Sequence, residues 1–122
     1  MNARQDRVAE YVRRLTDTYQ PELDAITRRS GATAEIVNTG GGCMAIETTI
    51  GRVPGTDHPL TLVATTTDMG LAETRDDIDE WLVCLYDGLE GGDALAEGRD
   101  HQSLVTAYDL ALSHLRRGIV PD

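Results

Sequence analysis

Lysine is absent from this 122-residue chain, so all eleven of its basic residues are arginine. Phenylalanine is absent as well, tryptophan occurs once and tyrosine four times. A core must therefore be assembled from Leu, Val, Ile, Ala and a few Tyr, within an apolar fraction of 40% that is low for a globular protein. Stability is expected to be modest, and a homodimer interface is one way to add to it. No apolar run approaches the roughly 18 residues of a membrane-spanning helix. The opening MNARQDRVAE has no apolar h-region, so no signal peptide is expected and the cytoplasm is the expected compartment. There are only two cysteines, Cys43 and Cys84, and in a reducing compartment both are expected as free thiols. Positive charge is scarce, with 11 basic against 21 acidic residues. Repulsion from phosphate argues against direct contact with nucleic acid or anionic lipid.

What is present is negative charge, and it is localised. Eleven of the 21 acids lie between Asp68 and Asp100, accompanied only by Arg75 and Arg99. That stretch carries −9 of the net −10. Such concentration marks a surface rather than solubilising the chain evenly.

At this length a single domain spanning residues 1–122 is expected. Val8, Tyr11, Val12, Leu15 and Tyr19 recur at three- and four-residue steps, a helical stripe that Leu23 and Ile26 continue. Pro21 interrupts it. PELDAITRR then reads as a second helix with early acids, late arginines and Gly31 as its C-terminal cap. Residues 34–39 and 43–50 flank Gly40–Gly42 as a hairpin, with Met44, Ile46, Thr48 and Ile50 on the core face. One glycine more than the turn requires is compatible with a bulge. A third strand is expected at 60–65, with Leu60, Leu62 and Ala64 on one side. Residues 66–80 show no strong period, and 76–80 reads as a helical turn or a loop. Residues 81–87, WLVCLYD, are apolar on both faces, as in a central strand covered on one side by helices. After a turn at 88–92, residues 93–97 read as a short edge strand. Leu104, Val105, Tyr108, Ala111, Leu112 and Leu115 mark a last helix, with Asp100 as its expected N-terminal cap and Gly118 and Pro121 as its stop. The sum is an α+β domain: an antiparallel sheet of four to five strands with N-terminal and C-terminal helices packed on one face.

No candidate site has a catalytic spacing. The DDIDE run supplies carboxylates for a hard cation but lacks the spacing and glycine of an EF-hand loop. The glycine triplet joins strands rather than opening a helix, so it is no phosphate loop. His58, His101 and His114 show no motif-like spacing to either thiol and, with two separated cysteines, make no zinc signature. Cys84 reads as a small core residue, Trp81 and Tyr86 as packing, and His114 as exposed. No cofactor and no metal are implied.

NTGGGCMAIE (38–47), WLVCLYDG (81–88) and EGRDHQSLVTAYDLALSHLR (97–116) together resemble a set of small uncharacterised proteins of actinobacteria and their bacteriophages. The lysine-free composition, read as a GC-rich coding bias, agrees with such a source. The resemblance implies no activity, cofactor or site residue.

The absence of catalytic motifs favours a non-catalytic binding module over an enzyme. The expected surface is acidic, formed by Asp76, Asp77, Asp79, Glu80, Asp87 and Glu90, and the expected partner is a basic host protein. The alternatives are a nucleic-acid mimic that inhibits a host DNA-binding protein, a small carboxylate- or metal-dependent enzyme, and a structural homodimer.

Overall fold

Pro21 divides the N-terminal stripe into two helices, α1 (Ala3–Thr18) and α2 (Gln20–Ser30), with the proline in the first turn of α2 where its missing N–H costs nothing. Gly31 closes α2 at φ +77°, and its N–H donates to the Thr27 carbonyl. These coordinates form a computed structural model that describes residues 3–40, 43–66 and 70–118. Gly41 and Gly42 of the expected turn, Asp68 of the acidic stretch and Pro121 lie outside the described residues.

Five strands follow: β1 (Glu35–Gly40), β2 (Cys43–Arg52), β3 (Pro59–Thr65), β4 (Trp81–Asp87) and β5 (Ala96–Asp100). They pair in chain order, each antiparallel to the next. The register of β1 on β2 shifts between Asn38 and Gly40, the irregularity that the extra glycine allows. The segment 76–80, expected as a helical turn or a loop, is in part both: a short 3₁₀ turn spans Arg75–Asp77, and residues 78–80 are not helical. The last helix, α3, spans Leu104–Arg117. The α+β class and the antiparallel sheet expected from sequence are therefore the observed architecture.

Residue parity assigns the faces. Ile36, Ile46, Ala64, Val83 and Gly98 form one cross-strand row, and Thr48, Leu62, Leu85 and Ala96 form the next. Both rows are buried. Leu15, Tyr19, Leu23 and Ile26 from α1 and α2 join them in one hydrophobic cluster, together with Leu104, Ala107, Tyr108 and Ala111 from α3. All three helices thus cover one side of the sheet. Tyr19 meets Trp81 edge to face, with centroids 5.7 Å apart at 82°.

Several boundaries differ from expectation: β2 runs on to Arg52, β5 ends at Asp100, and two starts have a side-chain cause. The last strand begins at Ala96 instead of Asp93 because the turn is wider than its glycines suggest. Asp87 accepts the backbone N–H groups of Leu89 and Glu90, and Gly91 and Gly92 both take positive φ. The chain returns to register only opposite Leu85. The cap of α3 is Ser103, whose Oγ accepts from the Thr106 N–H. Asp100 instead holds the turn before the helix, accepting from Gln102 N and Ser103 N.

Gly98 lets α3 approach β5 at backbone distance. A methyl there would overlap the Ala107 carbonyl oxygen and lie 2.6 Å from the Ala111 nitrogen. Main-chain atoms of a helix cannot step aside, so Gly98→Ala is expected to cost about 3 kcal/mol in a urea unfolding experiment. A loss below about 0.5 kcal/mol, the ordinary surface range, would show that α3 is free to shift.

Candidate functional site

The acidic residues singled out from sequence fall into two groups at opposite ends of β4. Asp76, Asp77, Asp79 and Glu80 precede Trp81, whereas Asp87 and Glu90 follow Tyr86. Six strand residues, Trp81 to Tyr86, lie between Glu80 and Asp87, a span of about 23 Å.

Thr66 and two ion pairs organise the first group. Thr66 is fully buried; its hydroxyl oxygen accepts the Ala72 N–H at 2.7 Å, and its carbonyl accepts from Asp79 N and Glu80 N. The Tyr19 hydroxyl donates to the Ala72 carbonyl at 2.6 Å. Arg75 forms a bidentate pair with Glu22 of α2, both contacts 2.6 Å, and Arg99 pairs with Glu80 at 2.6 Å. Both arginines of the acidic stretch are therefore engaged. Glu73, Asp76, Asp77 and Asp79 are exposed, and among the described residues none of them forms an ion pair. Asp77 accepts only the Thr74 hydroxyl.

At the other end, Asp87 has the parity of Trp81, Val83 and Leu85 and is buried with them. One carboxylate oxygen, Oδ1, accepts Leu89 N and Glu90 N, and Oδ2 lies 2.8 Å from His58 Nδ1. Its carboxylate is a structural group and is not presented to solvent. Glu90 is exposed. The link to His58 was legible in principle: alternation alone places Asp87 on the core face, and a carboxylate there requires a partner. Among the described residues, His58, Asp87 and Glu90 are the group whose potential ligand atoms lie within 4.8 Å of one another. A cation entering there would have to break the His58–Asp87 hydrogen bond, and the hydrogen bonds described account for both Asp87 oxygens without an ion.

The other nucleophile and base candidates are also accounted for. Cys84 is not in the core; it faces the uncovered side of the sheet, half-buried beside Tyr86 and Glu97. Burial pushes its thiol up, with the Tyr86 hydrogen bond opposing and Glu97 reinforcing, so it stays protonated at neutral pH. Cys43 is a half-buried free thiol. His114, expected to be exposed, is half-buried, with Nδ1 2.7 Å from the Glu97 carbonyl. His101 is exposed ahead of α3. Between α2 and α3 a groove of 520 Å³ is lined by Arg29, Tyr108, Asp109, Leu112 and Arg116, with Arg29 already paired to Asp109 at 2.8 Å. No helix among the described residues is long and apolar enough to cross a membrane.

No family model, curated protein or solved structure matches the chain.

Two outcomes follow for these groups. Thr66→Val keeps the shape but leaves the Ala72 N–H buried without an acceptor. It should cost about 1–3 kcal/mol on denaturation and accelerate hydrogen exchange at Ala72. The His58–Asp87 pair should show in pH dependence. The Asp87 hydrogen bond raises the His58 pKa above 6.5, so its contribution is complete below 6.5 and fades as pH rises through the folded value. The Glu90 backbone N–H, then His58, lowers the Asp87 pKa below 3.8, so its contribution holds above 3.8 and fades as pH falls through the folded value. The melting-temperature gap between the native chain and His58→Asn should therefore be widest between 3.8 and 6.5 and narrow by pH 8.5. A gap independent of pH would show that the pair is not ionic.

Proposed function

We propose that this chain is a non-catalytic interaction module, of phage or actinobacterial origin, that docks a basic host protein in the cytoplasm. The observation that carries the reading is the unneutralised run Glu73, Asp76, Asp77 and Asp79, displayed on the connection ahead of β4. Its neighbouring cations are diverted elsewhere, Arg75 to Glu22 and Arg99 to Glu80. Each arginine is already neutralised by its own glutamate, so the two pairs carry no net charge to offset the exposed carboxylates beside them. The local field therefore stays negative and steers a positively charged surface toward this end of the sheet. Glu90 adds exposed charge at the far end of β4, whereas Asp87 belongs to the fold. The source is supported by the lysine-free composition and the three sequence stretches that resemble actinobacterial and phage proteins.

Steering by exposed charge is screened over about 8 Å at physiological salt. Tagged protein should therefore retain a basic protein from an actinobacterial lysate at low salt and release it at high salt. Replacing Asp76, Asp77 and Asp79 together by Lys should abolish that retention while circular dichroism stays unchanged. Glu80 is spared because its pair with Arg99 is structural. Equal retention by the reversed variant would overturn the reading.

A further inference from the structure

The side of the sheet away from the helices is more apolar than a solvent-facing side needs to be. An antiparallel sheet covered on one face ordinarily alternates to polar residues on the other. Here the outward residues of β4 are Leu82, Cys84 and Tyr86, and Val63 of β3 stands directly opposite Cys84. All four are half-buried, and none belongs to the hydrophobic cluster beneath the helices. They form an apolar strip along β4 that extends to Val63 of β3, between the outward Thr61 and Thr65.

Charge borders the strip on both flanks. The row through Cys84 reads Glu35, Glu47, Val63, Cys84, Glu97 across the five strands. Glu35 and Glu47 face each other directly, a like-charge cross-strand pair that costs stability. Among the described residues neither forms an ion pair; Glu97 has Arg99 Nε at 3.9 Å, but that guanidinium, opposite Leu82, is held more closely by Glu80, at 2.6 Å. Glu47 on β2 and Glu97 on β5 are three strand spacings apart, about 14 Å. An α-helix with its side chains is about 10–12 Å across.

We infer that this face binds an amphipathic helix of the partner protein, its apolar stripe lying over Val63, Leu82, Cys84 and Tyr86. Arginines or lysines on one flank of that helix reach Glu35 and Glu47, and those on the other reach Glu97. The inference rests on the docking reading above and names the form of the partner: the carboxylates ahead of β4 steer, and the sheet face supplies the contact area. A second copy of this chain does not fit the face. A two-fold axis along the strands sets β1 over β5 and Glu35 over Glu97, and an axis along the row sets each glutamate over itself. Either arrangement opposes like charges.

The probe is a synthetic amphipathic helix of roughly five turns with a leucine stripe and arginine flanks, titrated into the isotope-labelled full chain. Two controls accompany it, one with glutamate flanks and one with arginines but no stripe. Chemical-shift changes are expected at Val63, Leu82, Cys84 and Tyr86 with the first peptide only. Glu47→Gln combined with Glu97→Gln should weaken binding at least about tenfold. Glu47→Gln alone should raise the melting temperature of the unbound chain by relieving the repulsion from Glu35, which a purely structural glutamate would not do. Equal binding by the stripe-free peptide, with shifts confined to residues 73–79, would overturn the sheet-face site and leave acidic docking standing. Equal binding by the glutamate-flanked peptide, or a concentration-dependent dimer abolished by Leu82→Glu, would overturn the proposed occupant. No binding by either arginine peptide would overturn the inference, and lysate capture would then decide the docking reading alone.

Discussion

Helix α3 lies on the sheet at backbone distance, and the rest of the molecule is arranged around that contact. Gly98 has no room for a methyl, and the α3 residues facing it are Ala107 and Ala111. With almost no aromatic residues available, the chain gains its core by close approach of small side chains rather than by filling a wide gap with large ones. Tyr19 and Trp81 supply the bulk at the opposite end, where α1 and α2 meet β4.

One consequence is an asymmetric sheet. Among the described residues every helix is committed to the same face, so Val63 of β3 and the apolar outward residues of β4 have no helix above them. A second consequence is the division of the acidic stretch. An antiparallel strand places its two ends far apart, so a run of charge that is continuous in sequence becomes two groups separated by β4. In one, Asp76, Asp77 and Asp79 are exposed and, among the described residues, form no ion pair, while Glu80 is held by Arg99. The other is anchored by Asp87, whose carboxylate organises the β4–β5 turn and pairs with His58.

Much of the fold was legible because local and global preferences agree. The break at Pro21, the stop at Gly31, the alternation in β3 and, apart from the fully buried Ala45, in β2, and the stripe of α3 appear where their patterns place them. The departures share a cause. The late start of β5, the cap at Ser103 and the burial of His114 each depend on side-chain-to-backbone bonds, made to Asp87, Ser103 and the Glu97 carbonyl. No periodicity encodes such bonds. Cys84 was misassigned for a different reason: an apolar residue in an apolar strand reads as core, but parity with Leu82 and Tyr86 turns it outward.

By itself the sequence determined the element order, the antiparallel α+β class, the inward residues of β2 and β3 and the excess of negative charge. These follow from spacing along the chain, which the periods of helix and strand convert directly into faces. Tertiary structure alone decided which carboxylates remain exposed, which arginines are consumed, and that His58 meets Asp87. Those outcomes depend on distances between residues far apart in sequence, such as Arg75 and Glu22 or His58 and Asp87, and only the register of the sheet and the seating of the helices set them.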